Sequence, residues 1–455
     1  MMDLLQTLVS FVVALGVLVT IHEYGHYWVA RRAGVRILRF SLGFGRPLYQ
    51  RRFGPDATEF TVAAIPLGGY VKMLDEREGP VAPAERHRAF NNQSLPRRCA
   101  IVAAGPLANF LLAFLVYWAM FMAGVTGARP FIGEVDAGGI AARSGLRAGD
   151  EILNVDGRDT AIWDNVMSTA IDAILDAQSV RLSVLGADGL PREVTLDFSS
   201  ISVDDISRGD FFNKVGFEPR RPKVPPIIGR VVPAEAAAEA GLQAGDRVLR
   251  LDGKPVDDWL DWVEDIRTSV GRRLEVVVSR DGSERTFTLE PRESVVDGRT
   301  VGRIGAEVAP FETPPEPVAT ATERYGMLTA AARALDRTRD VTLTTLKFLR
   351  KMVLGEASVN NLSGPISIAQ FAGESAKLGL SRFLEFLGLV SVSLAVLNLL
   401  PIPMLDGGHL MYYLIESIIR KPVPEAVQLY GQHIGLMFLL GLMGLAIFND
   451  IMRIL

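Results

Sequence analysis

Four apolar runs constrain this chain more than anything else in it: Leu4 to Ala30, Cys99 to Val125, Phe383 to Met404, and His433 to Phe448 with its flanks. Each approaches the ~20 residues with which a helix crosses a bilayer core. In lipid the backbone must satisfy its own polar groups, so such runs form helices and not open sheets. The expected fold class is a polytopic α-helical membrane protein with four transmembrane helices. Composition agrees, with 49% hydrophobic and 22% charged residues over 455 positions, which leaves room for a large extramembrane part. The net charge of -4 and the lack of a dedicated basic face speak against a nucleic-acid partner. A single cysteine, Cys99, excludes an internal disulfide and a thiolate zinc site.

The first run is expected to stay in the protein. Its leading residues MMD carry no positive charge, and RRAGVR follows it where a signal peptide would have a cleavage site. Arg31 to Arg98 is rich in arginine (RR, RILR, RPLYQRR, RHR, PRR), and the short loop between the third and fourth runs carries Arg420 and Lys421. In a four-span chain these two segments share a side, which the positive-inside rule makes cytoplasmic. Both termini and the stretch 126 to 380 then lie on the outer side.

That outer stretch contains a repeat. AARSGLRAGDEILNVDG from Ala141 and AAEAGLQAGDRVLRLDG from Ala237 are 96 positions apart, and FIGEV (Phe131 to Val135) matches IIGRV (Ile227 to Val231) at the same spacing. Each copy reads as a short helix, a Gly-Asp turn, an alternating strand, another helix and two more strands. The copies resemble PDZ domains, α+β modules that take a peptide C-terminus as an added strand; spacers that hold the membrane part in register are the plainer reading. The expected organisation is 1–125, the first two transmembrane helices with a β-loop at about 58–73; 126–221, the first PDZ-like domain; 222–310, the second; 311–380, a proline-rich linker and an amphipathic helix; and 381–455, the last two transmembrane helices. Within Tyr325 to Val353, basic residues alternate with Leu, Phe and Met at helical spacing. Such a helix suits the membrane interface, and it equally suits packing on a soluble domain.

Within the first run stands HEYGH, residues 22 to 26. On a helix, H-E-x-x-H puts His22 and His26 one turn apart on one face, where both imidazoles reach one metal ion. Glu23 is then placed to take a proton from a water at the open position. Unpaired ionisable groups at membrane depth are costly, so the depth strengthens a functional reading. A catalytic zinc needs a third protein ligand. His87 reads as a solvated residue and His433 as an interfacial one. NLLPIPMLDGGHL (398 to 410) offers Asp406 and His409 after Pro401 and Pro403 break the third run, and spacing alone does not choose between them. Zinc itself is inferred from the ligand types.

HEYGH, GPLANF (Gly105 to Phe110), NLLPIPMLDGGHL, the paired PDZ-like repeats and NNLSGPISIA (Asn360 to Ala369) together resemble the site-2 protease family, peptidase M50, essentially from end to end. The resemblance implies a zinc metalloendopeptidase with His22, His26 and Asp406 as Zn²⁺ ligands, Glu23 as catalytic residue and His409 as a supporting one. It implies a protein of the bacterial inner membrane with periplasmic PDZ domains and an active site near the cytoplasmic face. The implied substrates are single-span membrane proteins in regulated intramembrane proteolysis of an envelope stress response: an anti-sigma factor after prior trimming, and remnant signal peptides. The PDZ pair would filter them by size. TEFTVAAIPLGGYVKM (58 to 73) reads as two short strands around Pro66 and Gly68-Gly69. The family's membrane-reentrant β-loop suggests that it pairs with an unwound substrate, which makes Gly68, Gly69 and Tyr70 candidate substrate contacts; an ordinary cytoplasmic hairpin is the alternative. Asn398, polar in an apolar run, either binds substrate backbone or holds the broken helix together. The rival function is a membrane-anchored PDZ scaffold around a structural metal site closed by four protein ligands.

Overall fold

A computed structural model describes residues 2–176, 178–207, 210–221, 223–296, 299–309, 318–358 and 362–454. Positions 222 and 310, residues 311–317 of the proline-rich linker, and Asn360 and Asn361 of NNLSGPISIA lie outside the described residues.

Among those described, four helices are long and apolar enough to cross a membrane: Asp3–Arg32, Leu95–Ala123, Leu380–Leu399 and Glu425–Met452. The first two belong to α1 (Met2–Arg32) and α2 (Leu95–Ala123). These two helices approach closely because Gly25 has no side chain; a Cβ there would lie 2.3 Å from the Ala104 carbonyl oxygen.

The arginine-rich segment after α1 is a strand. β1 (Ile37–Phe53) pairs antiparallel with β2 (Thr58–Met73), and the inner residues of β1 have partners on both sides. Phe40 pairs with Val71 and Phe60, Ser41 with Tyr70 and Thr61, and Leu42 with Gly69 and Val62. Further out, Tyr49 pairs with Val62 and Phe53 with Thr58. The register therefore orders four segments as 69–73, 37–42, 58–63 and 47–53, with 69–73 at one edge. β2 passes from one flank of 37–42 to the other at Pro66 to Gly68, so the two short strands expected there are two arms of one continuous strand. Their shared partner, 37–42, is a strand segment not expected from the sequence. Gly43 (φ 90°) and Gly68 (φ 146°) take backbone conformations open to glycine at this crossing.

β3 (Val125–Ala128) leads from α2 into the repeats. The first comprises β4 (Ile132–Val135), α3 (Ile140–Arg143), β5 (Glu151–Val155), β6 (Arg158–Asp159), α4 (Trp163–Leu175), β7 (Ser179–Leu185), β8 (Pro191–Asp197), α5 (Val203–Ser207), α6 (Phe211–Val215) and β9 (Phe217–Pro219). The second comprises β10 (Ile228–Val231), α7 (Ala236–Glu239), β11 (Arg247–Leu251), β12 (Lys254–Pro255), α8 (Trp259–Arg267), β13 (Leu274–Arg280), β14 (Ser283–Leu289), β15 (Arg292–Val296), β16 (Arg299–Arg303) and β17 (Ala306–Val308). Their sheets correspond: β6-β5-β7-β8 with β12-β11-β13-β14, and β4-β9 with β10-β17. Each encloses its own apolar core, around Ile152, Leu182 and Phe198 in the first and around Trp262, Val276 and Leu289 in the second.

The chain returns through β18 (Thr320–Glu323), which pairs antiparallel with β3, so the entry and exit of the repeat region are clamped together. α9 (Met327–Val353) then packs along α2 and buries Ala330, Ala334 and Val341. α10 (Pro365–Lys377) begins at SGPIS, where the Asp450 carboxylate accepts the N–H groups of Gly364 (2.9 Å), Ile366 (2.9 Å) and Ser367 (3.1 Å). An anion at a helix N-terminus satisfies donors that the helix itself leaves open. α11 (Leu380–Leu399) stops short of Met404, and α12 (Asp406–Ile419) resumes after a non-helical turn holding Pro401 and Pro403. α13 (Glu425–Ile454) closes the bundle and starts ahead of the expected His433.

Candidate functional site

The site is assembled from α1, α2 and the start of α12. His22 and His26 are both buried, and their Nε2 atoms are 3.3 Å apart. Asp406 Oδ2 lies 3.2 Å from His22 Nε2 and 3.4 Å from His26 Nε2. Among the described residues these three form the one group of histidine, cysteine and carboxylate side chains with ligand atoms clustered for a metal. Asp406 reaches it because the turn after α11 folds tightly under α12. A Cβ on Gly407 would lie 2.2 Å from the Leu400 carbonyl oxygen, and one on Gly408 would lie 2.4 Å from that of Ile402.

Four observations test whether these residues fit a zinc ion. The donor set of two imidazoles and one carboxylate is a zinc set. Bonds of about 2.1 Å at tetrahedral angles separate ligand atoms by about 3.3–3.4 Å, which is the spacing of this triangle. Asp406 Oδ2 is buried, and no hydrogen bond is directed at it. Finally, the wall opposite the imidazoles is Gly105, where a Cβ would sit 2.3 Å from His26 Nε2 and 2.8 Å from His22 Nε2. The residues fit.

α2 also orients the rings. Pro106 within it cannot donate to the carbonyl four residues back, and the neighbouring Ile101 carbonyl lies 2.9 Å from His26 Nδ1. A carbonyl only accepts, so that nitrogen carries the proton and Nε2 keeps its lone pair. His22 Nδ1 meets the amide of Asn109 at 3.2 Å. Neither Ile101 nor Asn109 figured among the residues expected from sequence; GPLANF marked the segment but not these contacts.

Glu23 faces the edge segment of the sheet. A Cβ on Gly69 would lie 3.0 Å from Glu23 Cγ and 2.9 Å from Val19. Gly68 lies against the Phe44 ring. Tyr70 stacks on Phe44 and accepts a hydrogen bond from Arg39 at 3.1 Å. Asn398, in the last turn of α11, is half-buried and makes no side-chain hydrogen bond among the described residues. His409 lies one turn along α12 and outside the cluster, as do His87 and His433, which are exposed.

Two helix-borne histidines, an adjoining glutamate and a carboxylate from a broken helix, all within a bundle of span-length helices, make a candidate metalloprotease site. The chain belongs to peptidase family M50, whose sequence profile matches residues 10–442, and it is a zinc metalloprotease. It is 44% identical to the regulator of sigma-E protease RseP of Escherichia coli K12 over the full length of both chains. Its identity to protease RseP of Yersinia pestis is likewise 44%, and to a putative zinc metalloprotease of Vibrio cholerae 40%, again over both full lengths.

Proposed function

We propose that the protein cleaves transmembrane segments of single-span membrane proteins, with His22, His26 and Asp406 holding zinc and Glu23 acting as general base. The observation that carries the reading is the triangle of three ligand atoms, drawn from two ends of the chain, with Glu23 beside it. When bound, zinc in such a site supplies Lewis acidity that activates water and polarises the scissile carbonyl. Glu23 takes the proton of the attacking water and returns it to the leaving amine.

A helical substrate must unwind first, because its own hydrogen bonds shield its peptide bonds. Freed backbone groups cost several kcal/mol each in lipid. The edge of 69–73, which has no further strand partner among the described residues, offers them partners by strand addition, and Gly69 lets that edge approach Glu23. Gly68 and Tyr70 shape the edge through Phe44, and Asn398 offers a further polar contact.

In this reading the arginine-bearing loops are cytoplasmic, in an inner membrane, and the PDZ-like modules and both termini are periplasmic. Trp28, exposed beside Arg31 and Arg32 at the end of α1, marks an interface. It lies six residues beyond His22, roughly 9 Å along the helix, which supports a zinc site just below the cytoplasmic face. Anti-sigma factors already trimmed outside, and remnant signal peptides, are the substrate class; the modules act as a steric filter above the site.

The test is Glu23→Gln in purified enzyme reconstituted with a single-span substrate. Zinc content is expected to stay at wild-type level while cleavage falls by at least about 10²-fold, the scale of a lost general base. Proteolysis near the wild-type rate would overturn the assignment.

A further inference from the structure

Asn109 lies one turn beyond Gly105 on α2 and is fully buried. Its Nδ2 is placed 3.2 Å from His22 Nδ1, while its Oδ1 is buried without a partner. Its backbone carbonyl accepts a hydrogen bond from Ser391 of α11 at 2.7 Å, which pins the residue between the two helices.

The two ends of a side-chain amide exchange by a half-turn about χ2, and the neighbouring groups decide which end faces which partner. His22 can present a lone pair from Nε2 to a metal only if its proton sits on Nδ1. An NH₂ group facing that Nδ1–H sets donor against donor. A carbonyl oxygen there accepts the proton and fixes the tautomer.

We propose that Asn109 is a positioning residue for the metal site: its side-chain carbonyl accepts the proton of His22 Nδ1, as the Ile101 carbonyl does for His26, and so holds the His22 Nε2 lone pair toward the metal position shared with His26 and Asp406. This rests on the reading that His22, His26 and Asp406 bind the zinc. The two acceptors differ in origin. Ile101 contributes main chain, which a substitution cannot remove. Asn109 contributes a side chain, so the orientation of His22 is the part of the site that one mutation can release. Acceptors of this kind typically sustain metal affinity by 10- to 100-fold.

The experiment is competition between the full-length, detergent-solubilised protein and a chelator of known zinc affinity, without reference to proteolysis. Asn109→Leu keeps the branching and the number of heavy atoms and removes the acceptor; its zinc affinity is expected to drop by roughly 10- to 100-fold. Asn109→Asp, which can only accept, is expected to bind zinc at least as tightly as wild type. Wild-type affinity in Asn109→Leu, or an equal loss in both variants, overturns the proposal. Equal loss also covers the case where position 109 matters only for packing. His22→Ala in the same assay separates the two levels: if it too retains zinc, the ligand assignment fails; if it alone loses zinc, only the role of Asn109 fails.

Discussion

The two repeats share a fold and differ in what they touch. The first is fastened to the membrane bundle. Ile162, just before α4, is 1% exposed and belongs to the apolar cluster of Tyr117, Val125, Ala334 and Val392. Around it Asp164 pairs with Arg382 (2.5 Å), Asp176 with Lys347 (2.7 Å) and Arg158 with Asp340 (2.9 Å), Asn165 donates to Glu323 at 2.7 Å, and Asp172 accepts a hydrogen bond from Thr344 of α9. The second has no comparable fastening: among the described residues its ion pairs stay within the module or reach only the segment leading into it, as in Arg250–Glu284 and Arg221–Asp261.

The residues at matching positions explain the difference. Ninety-six positions on from Ile162, Asp164, Asp172 and Asp176 stand Asp258, Leu260, Thr268 and Arg272. Apolar and acidic docking groups have become a helix cap, an exposed leucine, a threonine and an arginine that pairs with Asp252 inside the module. A duplicated core thus carries two different outer faces, because burial fixes the core positions and leaves the surface free to change.

The cores show the complementary case. The aspartate of each AGD turn is buried and accepts an N–H from three residues back, Arg147 in the first module and Gln243 in the second. Each also pairs with an arginine, but the arginines are not equivalent: Arg192 starts β8, whereas Arg280 ends β13. The buried carboxylate is what both modules must satisfy, and either strand of the adjoining hairpin can supply the charge.

The largest expected effect is therefore inside a module. Asp246→Ala strands Arg280 and should destabilise the second module by about 3 kcal/mol or more. Limited proteolysis is expected to cut within 223–309 while the bundle stays intact and zinc stays bound. Loss of zinc would mean that the second module is coupled to the site after all.

Ile162→Ala removes the apolar anchor of the first module, at a cost of about 2–5 kcal/mol for a buried isoleucine. Hydrogen exchange should quicken across α4 and across β3 and β18. The matching change, Asp258→Ala, removes only a helix cap, worth about 1 kcal/mol, and should quicken exchange in α8 alone. Equal spread of both effects into the bundle would erase the contrast between the modules.

Smaller still is Asp176→Asn, since a half-exposed pair with Lys347 contributes about 0–1 kcal/mol. It should make exchange in α4 less sensitive to salt than in the wild-type protein, which loosens as salt rises. Unchanged salt dependence would leave the charged seam without a role in docking.

The smallest effect is in pH. Asp252 accepts the Glu275 N–H at 2.8 Å, and this bond, with Arg272 beside it, holds its carboxyl below the usual carboxylate value of 3.8. Its contribution is complete above that pH and is lost as pH falls through the lower folded value. In Asp252→Asn the urea midpoint of the second module should be lower than in wild type at pH 6, with the gap closing toward pH 2. A gap that persists in acid would exclude a charge effect.

Much of the molecule was legible before folding. The four spans, the repeat and HEYGH are local patterns: a run of apolar residues, a recurring string, two histidines one helical turn apart. The break at Pro401 and Pro403 was legible too, since proline removes a helical donor wherever it stands. Zinc as cofactor and Glu23 as the candidate base followed from ligand chemistry and the position of Glu23 between the histidines.

The contacts between such patterns carry no period. Spacing left Asp406 and His409 equal; the family resemblance pointed to Asp406, and the tight turn after α11, folded under α12, is what brings it to 3.2 Å from His22. The same holds for segment 37–42 between two flanks of one strand, for Ile101 and Asn109 behind the imidazoles, and for Ile162 in the bundle. Local sequence determined which groups this protein has and which helices bear them. Tertiary structure decided which of them meet, because a meeting depends on shape summed over the whole packed chain, and that is written at no single position.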